Sequence, residues 1–180
     1  MELNLNNKTA LITGASKGIG KAIAESMAKE GCNLILTARS ENKLIALKEK
    51  LQKQHNISIA TLSIDLSLKN SVEKISEFSG DIDILINNAG AIPPGSLSDI
   101  DEDTWRNAWN LKLFGYINLT RLIYNKMKIA KSGVILNIIG SAGQKPMYNY
   151  IAGTTANAGL MAFTKALSNG STANGIRVLG

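Results

Sequence analysis

The sequence predicts an α/β chain: a doubly wound parallel sheet with helices on both faces. Three observations predict it. Short apolar runs alternate with segments of helical period along nearly the whole chain, as in parallel strands joined by crossover helices. Two of the strand-like runs, Ala10-Leu11-Ile12 and Leu34-Ile35-Leu36, are apolar without a break, as strands covered on both faces are. A glycine-rich turn, Gly14-Ala15-Ser16-Lys17-Gly18-Ile19-Gly20, separates the first strand from the first helix.

The elements follow in order. Lys8 to Thr13 is the first strand, and Ile19 to Glu30 is a helix with Ile23, Met27 and its alanines on one face. Gly31 ends that helix. Asn33 to Ala38 is the second strand. Glu41 to Gln54 is the next helix, with Leu44, Leu47 and Leu51 at helical spacing. Ile57 to Ile64 is a strand, and Asn70 to Phe78 a helix that turns Val72, Ile75 and Phe78 inward. Ile82 to Ile86 is the fourth strand, followed by a loop from Gly90 to Ser98 that carries Pro93, Pro94 and Gly95. Helical pattern then runs from Asp101 to Ala130 in two joined segments. Val134 to Ile139 is the fifth strand, Thr154 to Ser168 the last helix, and Ile176 to Leu179 the sixth strand.

The glycine turn is suited to an anion. Glycine lets the backbone approach a phosphate closely, while free N–H groups and the helix dipole favour its charge. In the alternating fold this turn marks a dinucleotide site, the Rossmann arrangement, with Gly14, Ser16, Lys17, Gly18, Ile19 and Gly20 as cofactor contacts. At the end of the second strand, such folds often place an acidic residue on the adenosine ribose. Here Ala38 is followed by Arg39. A cation at that point pairs with a 2′-phosphate, and Lys17 can reach the same group, so NADP is expected ahead of NAD.

The rest of the composition narrows the class. The chain has 180 residues, 44% of them hydrophobic, enough for one domain with a sizeable core. No apolar run is long enough for a membrane span, and the N-terminal residues do not read as a signal peptide. Cys32 is the single cysteine, which suits a reducing cytoplasm and reads as packing. The formal charge of +6 comes from Lys and Arg scattered over helix faces without a dense block, which weighs against nucleic acid and suits a polyanionic cofactor. No metal site is indicated. His55 stands alone and reads as solvated.

Five motifs, in order, resemble those of the short-chain dehydrogenase/reductase family. Thr13 to Gly20 is similar to its glycine motif. Asp65-Leu66 resembles its adenine contact, and Asn87-Asn88-Ala89-Gly90 its Asn-Asn-Ala-Gly motif, in which Asn88, Ala89 and Gly90 line the cofactor. Asn110 matches the helix Asn that holds a relay water, and Ser141 the catalytic Ser after the fifth strand. The resemblance implies hydride transfer between a nicotinamide cofactor and a small carbonyl or alcohol, and a homo-oligomer. It also implies a longer chain: the family continues past the sixth strand with a substrate loop, a helix and a seventh strand. On that comparison residues 1–180 are one cofactor-binding domain whose last strand is an uncovered edge.

The resemblance breaks at one place. The family uses a Tyr for proton transfer and a Lys four residues later, neighbours on one helix face. The Lys lowers the phenol pKa from its usual value of about 10 and binds the nicotinamide ribose. The stretch Asn157-Ala158-Gly159-Leu160 fixes the register and puts Gly153 at the Tyr position and Asn157 at the Lys position. Tyr148 and Tyr150 lie just upstream, and either phenol could enter the site, Tyr150 being nearer. Lys145 precedes both, and Asn157 can still bind ribose hydroxyls through its amide. Two readings stay open: an oxidoreductase with impaired or atypical proton transfer through Tyr150, or a non-catalytic NADP(H)-binding protein.

Overall fold

The computed structural model describes residues 3–180. Six strands form one parallel sheet: β1 (Thr9–Thr13), β2 (Asn33–Ala38), β3 (Ile59–Ser63), β4 (Ile84–Asn87), β5 (Gly133–Asn137) and β6 (Ile176–Leu179). Their spatial order is β3-β2-β1-β4-β5-β6. The chain winds outward from β1 in one direction and then, from β4, in the other. A crevice therefore opens beyond the carboxyl ends of β1 and β4, where doubly wound sheets bind ligands.

Helices α1 (Gly18–Lys29) and α2 (Glu41–Gln54) cover one face, burying Ala24, Ala28, Leu44, Leu47 and Leu51 against Ile12 and Leu36. Helices α3 (Ser71–Ser79) and α5 (Gly115–Ala130) cover the other, with Ile75, Leu119, Ile123 and Met127 on Leu11, Leu85 and Ile135. Successive residues of the central strands thus feed opposite cores, which is why β1, β2 and β4 are buried along nearly their whole length. Edge strand β6 instead buries Ile176 and Val178 and leaves Arg177 and Leu179 exposed. The Leu44, Leu47, Leu51 stripe lies inward as expected. Phe78 does not: it is 46% exposed, because α3 turns Ser71, Ile75, Ser76 and Ser79 inward and Phe78 lies off that face. Cys32 is buried, and its thiol donates to the Lys8 carbonyl at 3.1 Å. Burial pushes that thiol up to about 11, so it stays protonated and serves packing.

Two boundaries matter for function. The helical stretch after the proline loop is α4 (Glu102–Trp109) and α5, joined by a π-helical turn over Asn110–Phe114. Asp101 is not helical but caps α4, its carboxylate accepting from the Thr104 amide at 2.7 Å. The last helix, α6 (Ile151–Ser171), begins three residues before the position expected from the sequence. Its entrance is pulled forward by the proline loop. Gly95 donates to the Asn149 carbonyl at 2.7 Å and accepts from the Ile151 amide at 3.2 Å, holding Tyr150 at the helix start.

Candidate active site

The turn after β1 is built by steric fit. Gly14 has φ +67°, and a Cβ there would meet Ala89 Cα and the Asn88 amide at 2.9 Å. A Cβ on Gly20 would run into the Gly14 carbonyl. Gly18 has φ +55° with open space where a side chain would stand, at the N-terminal end of α1. Crowding fixes the turn from below and openness leaves room above, the shape a pyrophosphate requires. These residues fit a dinucleotide.

The end of β4 is knitted to this turn. Thr13 Oγ1 accepts from the amides of Asn88 and Ala89, each at 3.0 Å. The Asn88 side chain donates back to the carbonyls of Thr13 and Gly14, at 2.9 and 3.2 Å. Beneath lies a buried chain of amides and hydroxyls: Asn87 Nδ2 donates to Thr120 Oγ1 and Asn137 Oδ1, and Asn137 Nδ2 to Thr164 Oγ1, all at 2.9 Å. Buried polar networks help fix the placement of the elements they join. Here one ties β4, α5, β5 and α6 together under the site, although its Asn87 Oδ1 is buried without a partner among the described residues.

A cleft of about 1020 Å³ runs across the carboxyl ends of the strands. One end is basic, with Lys17, Arg39 and Lys43 at its wall. Arg39 is 70% exposed and approaches Asp65 only at 3.9 Å, leaving most of its guanidinium to a ligand. Burial opposes ionisation of Asp65, but the Ser67 hydroxyl and amide and the Arg39 charge outweigh it and hold the carboxyl below the usual range. Leu66 forms the floor beside it. The other end holds Ser141, in a single 3₁₀ turn after β5, with Met147, Tyr150 and Asn157 from α6 and the loop before it.

At that end the ring of Tyr150 lies directly over Gly153. A Cβ on Gly153 would collide with ring atoms Cζ and Cε1 and stand 2.6 Å from Cε2. The phenol therefore occupies the space into which a side chain at 153 would project, one helical turn from Asn157. Tyr148 is 76% exposed and lies outside the cleft, as does exposed Lys145. Burial raises the Tyr150 phenol above its usual pKa. Asn157 is 3% exposed, and its amide is already engaged: Oδ1 accepts from the Gly140 amide at 2.8 Å and Nδ2 donates to the Gly153 carbonyl at 2.7 Å. It fastens the Ser141 turn to α6, with little capacity left for a ribose.

Every residue expected to touch cofactor or substrate lines this cleft except two. Gly20 is buried under the turn it shapes. Asn110 is exposed and lines a separate cavity of about 300 Å³ with Leu68, Phe114 and Asn118. The π turn is the reason: its wide winding rotates the helix so that Lys112 enters the cleft instead. Sequence reasoning missed Lys112. Its only signal was a helical stretch, Asp101 to Ala130, too long for one uninterrupted helix.

A family model described as short chain dehydrogenase matches residues 8–180. The chain is 34% identical over 179 residues to 3-oxoacyl-[acyl-carrier-protein] reductase FabG of Escherichia coli (strain K12), covering 98% of this chain and 72% of that protein. It superposes on L-sorbose reductase from Gluconobacter frateurii, solved with NADPH and L-sorbose, with a TM-score of 0.94 and 28% identity, covering 99% of this chain and 69% of that one. A short-chain dehydrogenase from Sphingobium yanoikuyae in complex with NADPH gives a TM-score of 0.91 at 27% identity, over 96% of this chain and 70% of that one.

Proposed function

Because the chain belongs to the short-chain dehydrogenase/reductase family, we propose that it is an NADP(H)-dependent oxidoreductase acting on a small carbonyl or alcohol, with Tyr150 as its proton donor. The observation that carries this reading is the Tyr150 ring, seated over Gly153 in the same cleft as Ser141. The glycine turn and the Asn88-Ala89-Gly90 segment would hold the dinucleotide, with Asp65 and Leu66 at the adenine. When bound, the reduced nicotinamide supplies the hydride. Ser141 donates a hydrogen bond to the carbonyl oxygen and polarises it. Tyr150 then gives its proton to that oxygen as the carbon is reduced, completing the alcohol, and regains a proton from solvent. In this scheme Asn157 braces the Ser141 turn, and the position of Asn110 outside the cleft leaves it without a part in the relay.

NADP is favoured over NAD because Arg39 and Lys17 stand where a 2′-phosphate would lie, and the relatives solved with NADPH share this fold. Arg39→Asp should weaken NADPH binding by roughly ten- to a hundredfold, the range of a hydrogen bond to a charged group, while sparing or improving NADH. Equal loss of both cofactors would contradict the phosphate clamp.

A second reading rests on Asn157. With no ammonium at that point of α6 and a phenol pushed upward by burial, the cleft could bind NADP(H) without turnover. Incubating the protein with NADPH and a panel of aldehydes, ketones and keto esters separates the two. Loss of reduced-nicotinamide absorbance with any member supports the oxidoreductase. Tight NADPH binding with no oxidation across the panel supports the binding protein.

A further inference from the structure

We infer that Lys112 supplies, from the α4–α5 side of the cleft, the ammonium that α6 lacks at position 157, its free N–H donating to the nicotinamide ribose. This rests on the cofactor reading above. The expected pair was an amide on the helix before β5 and an ammonium on the helix after it. The structure holds the reverse, with Lys112 in the cleft and an amide at Asn157. Lys112 sits at the catalytic end, its stem packed on Gly90 so closely that a Cβ there would meet Cδ at 2.5 Å. Its Nζ donates to the Ile138 carbonyl at 2.7 Å and to Tyr116 Oη at 2.9 Å. An ammonium has three donors, so one remains. Lys17 and Lys43 belong to the basic end, which makes Lys112 the one lysine among the described residues that lines the catalytic end.

The group is set up to hold its place rather than to be neutralised. Among the described residues no carboxylate pairs with it, and Asp65 is occupied with Ser67 and Arg39 at the far end. The groups that face it are the Tyr116 hydroxyl and ring on its own helix, the Ile138 carbonyl from the β5 end, and Tyr150 and Ser141 on the other wall. Burial lowers the ammonium to about 8. Its charge is therefore largely present at neutral pH and lost as the pH rises past that value.

The test compares NADPH with 2′,5′-ADP, which carries the adenosine half alone, by calorimetric titration of wild type and Lys112→Met, with circular dichroism to establish that both are folded. The expected result is NADPH binding weakened about tenfold in Lys112→Met, with 2′,5′-ADP unchanged. Relative to 2′,5′-ADP, wild-type affinity for NADPH should also fall as pH rises through about 8, and that dependence should vanish in the variant. Unaltered NADPH affinity, or equal weakening of both ligands, overturns the role of Lys112 while leaving the cofactor reading intact. Failure of wild type to bind either ligand defeats that reading and this inference together.

Discussion

Tyr150→Phe should reduce the rate of carbonyl reduction by about 10²- to 10⁴-fold, the usual worth of a positioned acid, or about 3–5 kcal/mol of barrier. NADPH affinity should hardly change, because the lost atom is one hydroxyl at the substrate side. The apolar body of the ring still fills the slot over Gly153, so the fold should be unaffected. Steady-state kinetics with any substrate the panel reveals, alongside NADPH titration, checks both halves. A variant that keeps full rate would show that some other group moves the proton. Burial keeps the phenol protonated well beyond neutral pH, so the reductive direction should run unimpaired near pH 7. Alcohol oxidation needs the phenolate and should rise with pH.

Gly153→Ala should cost nearly as much activity as Tyr150→Phe, and for a reason that sets it apart from ordinary helix substitutions. Alanine in a helix interior is about 1 kcal/mol better than glycine, so a neutral site would gain stability. Here the added methyl lands on the Tyr150 ring and must displace it from the cleft. The Tyr150 backbone cannot follow freely, since the Gly95 loop holds it from both sides. We expect turnover to fall by about 10²-fold or more while the melting temperature stays level or rises. Activity and stability moving together would point to general damage instead. Full activity would show that the phenol works from elsewhere.

The fold was legible because its signals are local. Apolar runs, helical spacing in Leu44, Leu47 and Leu51, and the glycines after β1 each report on a few neighbouring residues. The basic end of the cleft was legible for the same reason: Arg39 directly follows β2, and Lys17 lies inside the turn. The catalytic end was not. Where α6 begins depends on Gly95, more than fifty residues upstream, and only that pairing decides that Tyr150 reaches the slot over Gly153 and Tyr148 does not. Lys112 was hidden by the π turn. Residues two apart on a regular helix point to different faces, so a motif that selects Asn110 excludes Lys112 until the turn geometry is known. The inward expectation for Phe78 failed because the inward face of α3 is Ile75 with Ser71, Ser76 and Ser79, and hydropathy does not mark the serines as inward.

The central claim is that the turn between β1 and α1 grips the pyrophosphate of a redox nucleotide, with Arg39 choosing its phosphorylated form. Isothermal titration calorimetry of the folded protein with NADPH and NADH tests it most directly. Saturable heat with NADPH, at an affinity clearly above that for NADH, is the predicted result. A folded sample that gives no heat with either nucleotide contradicts the account at its foundation.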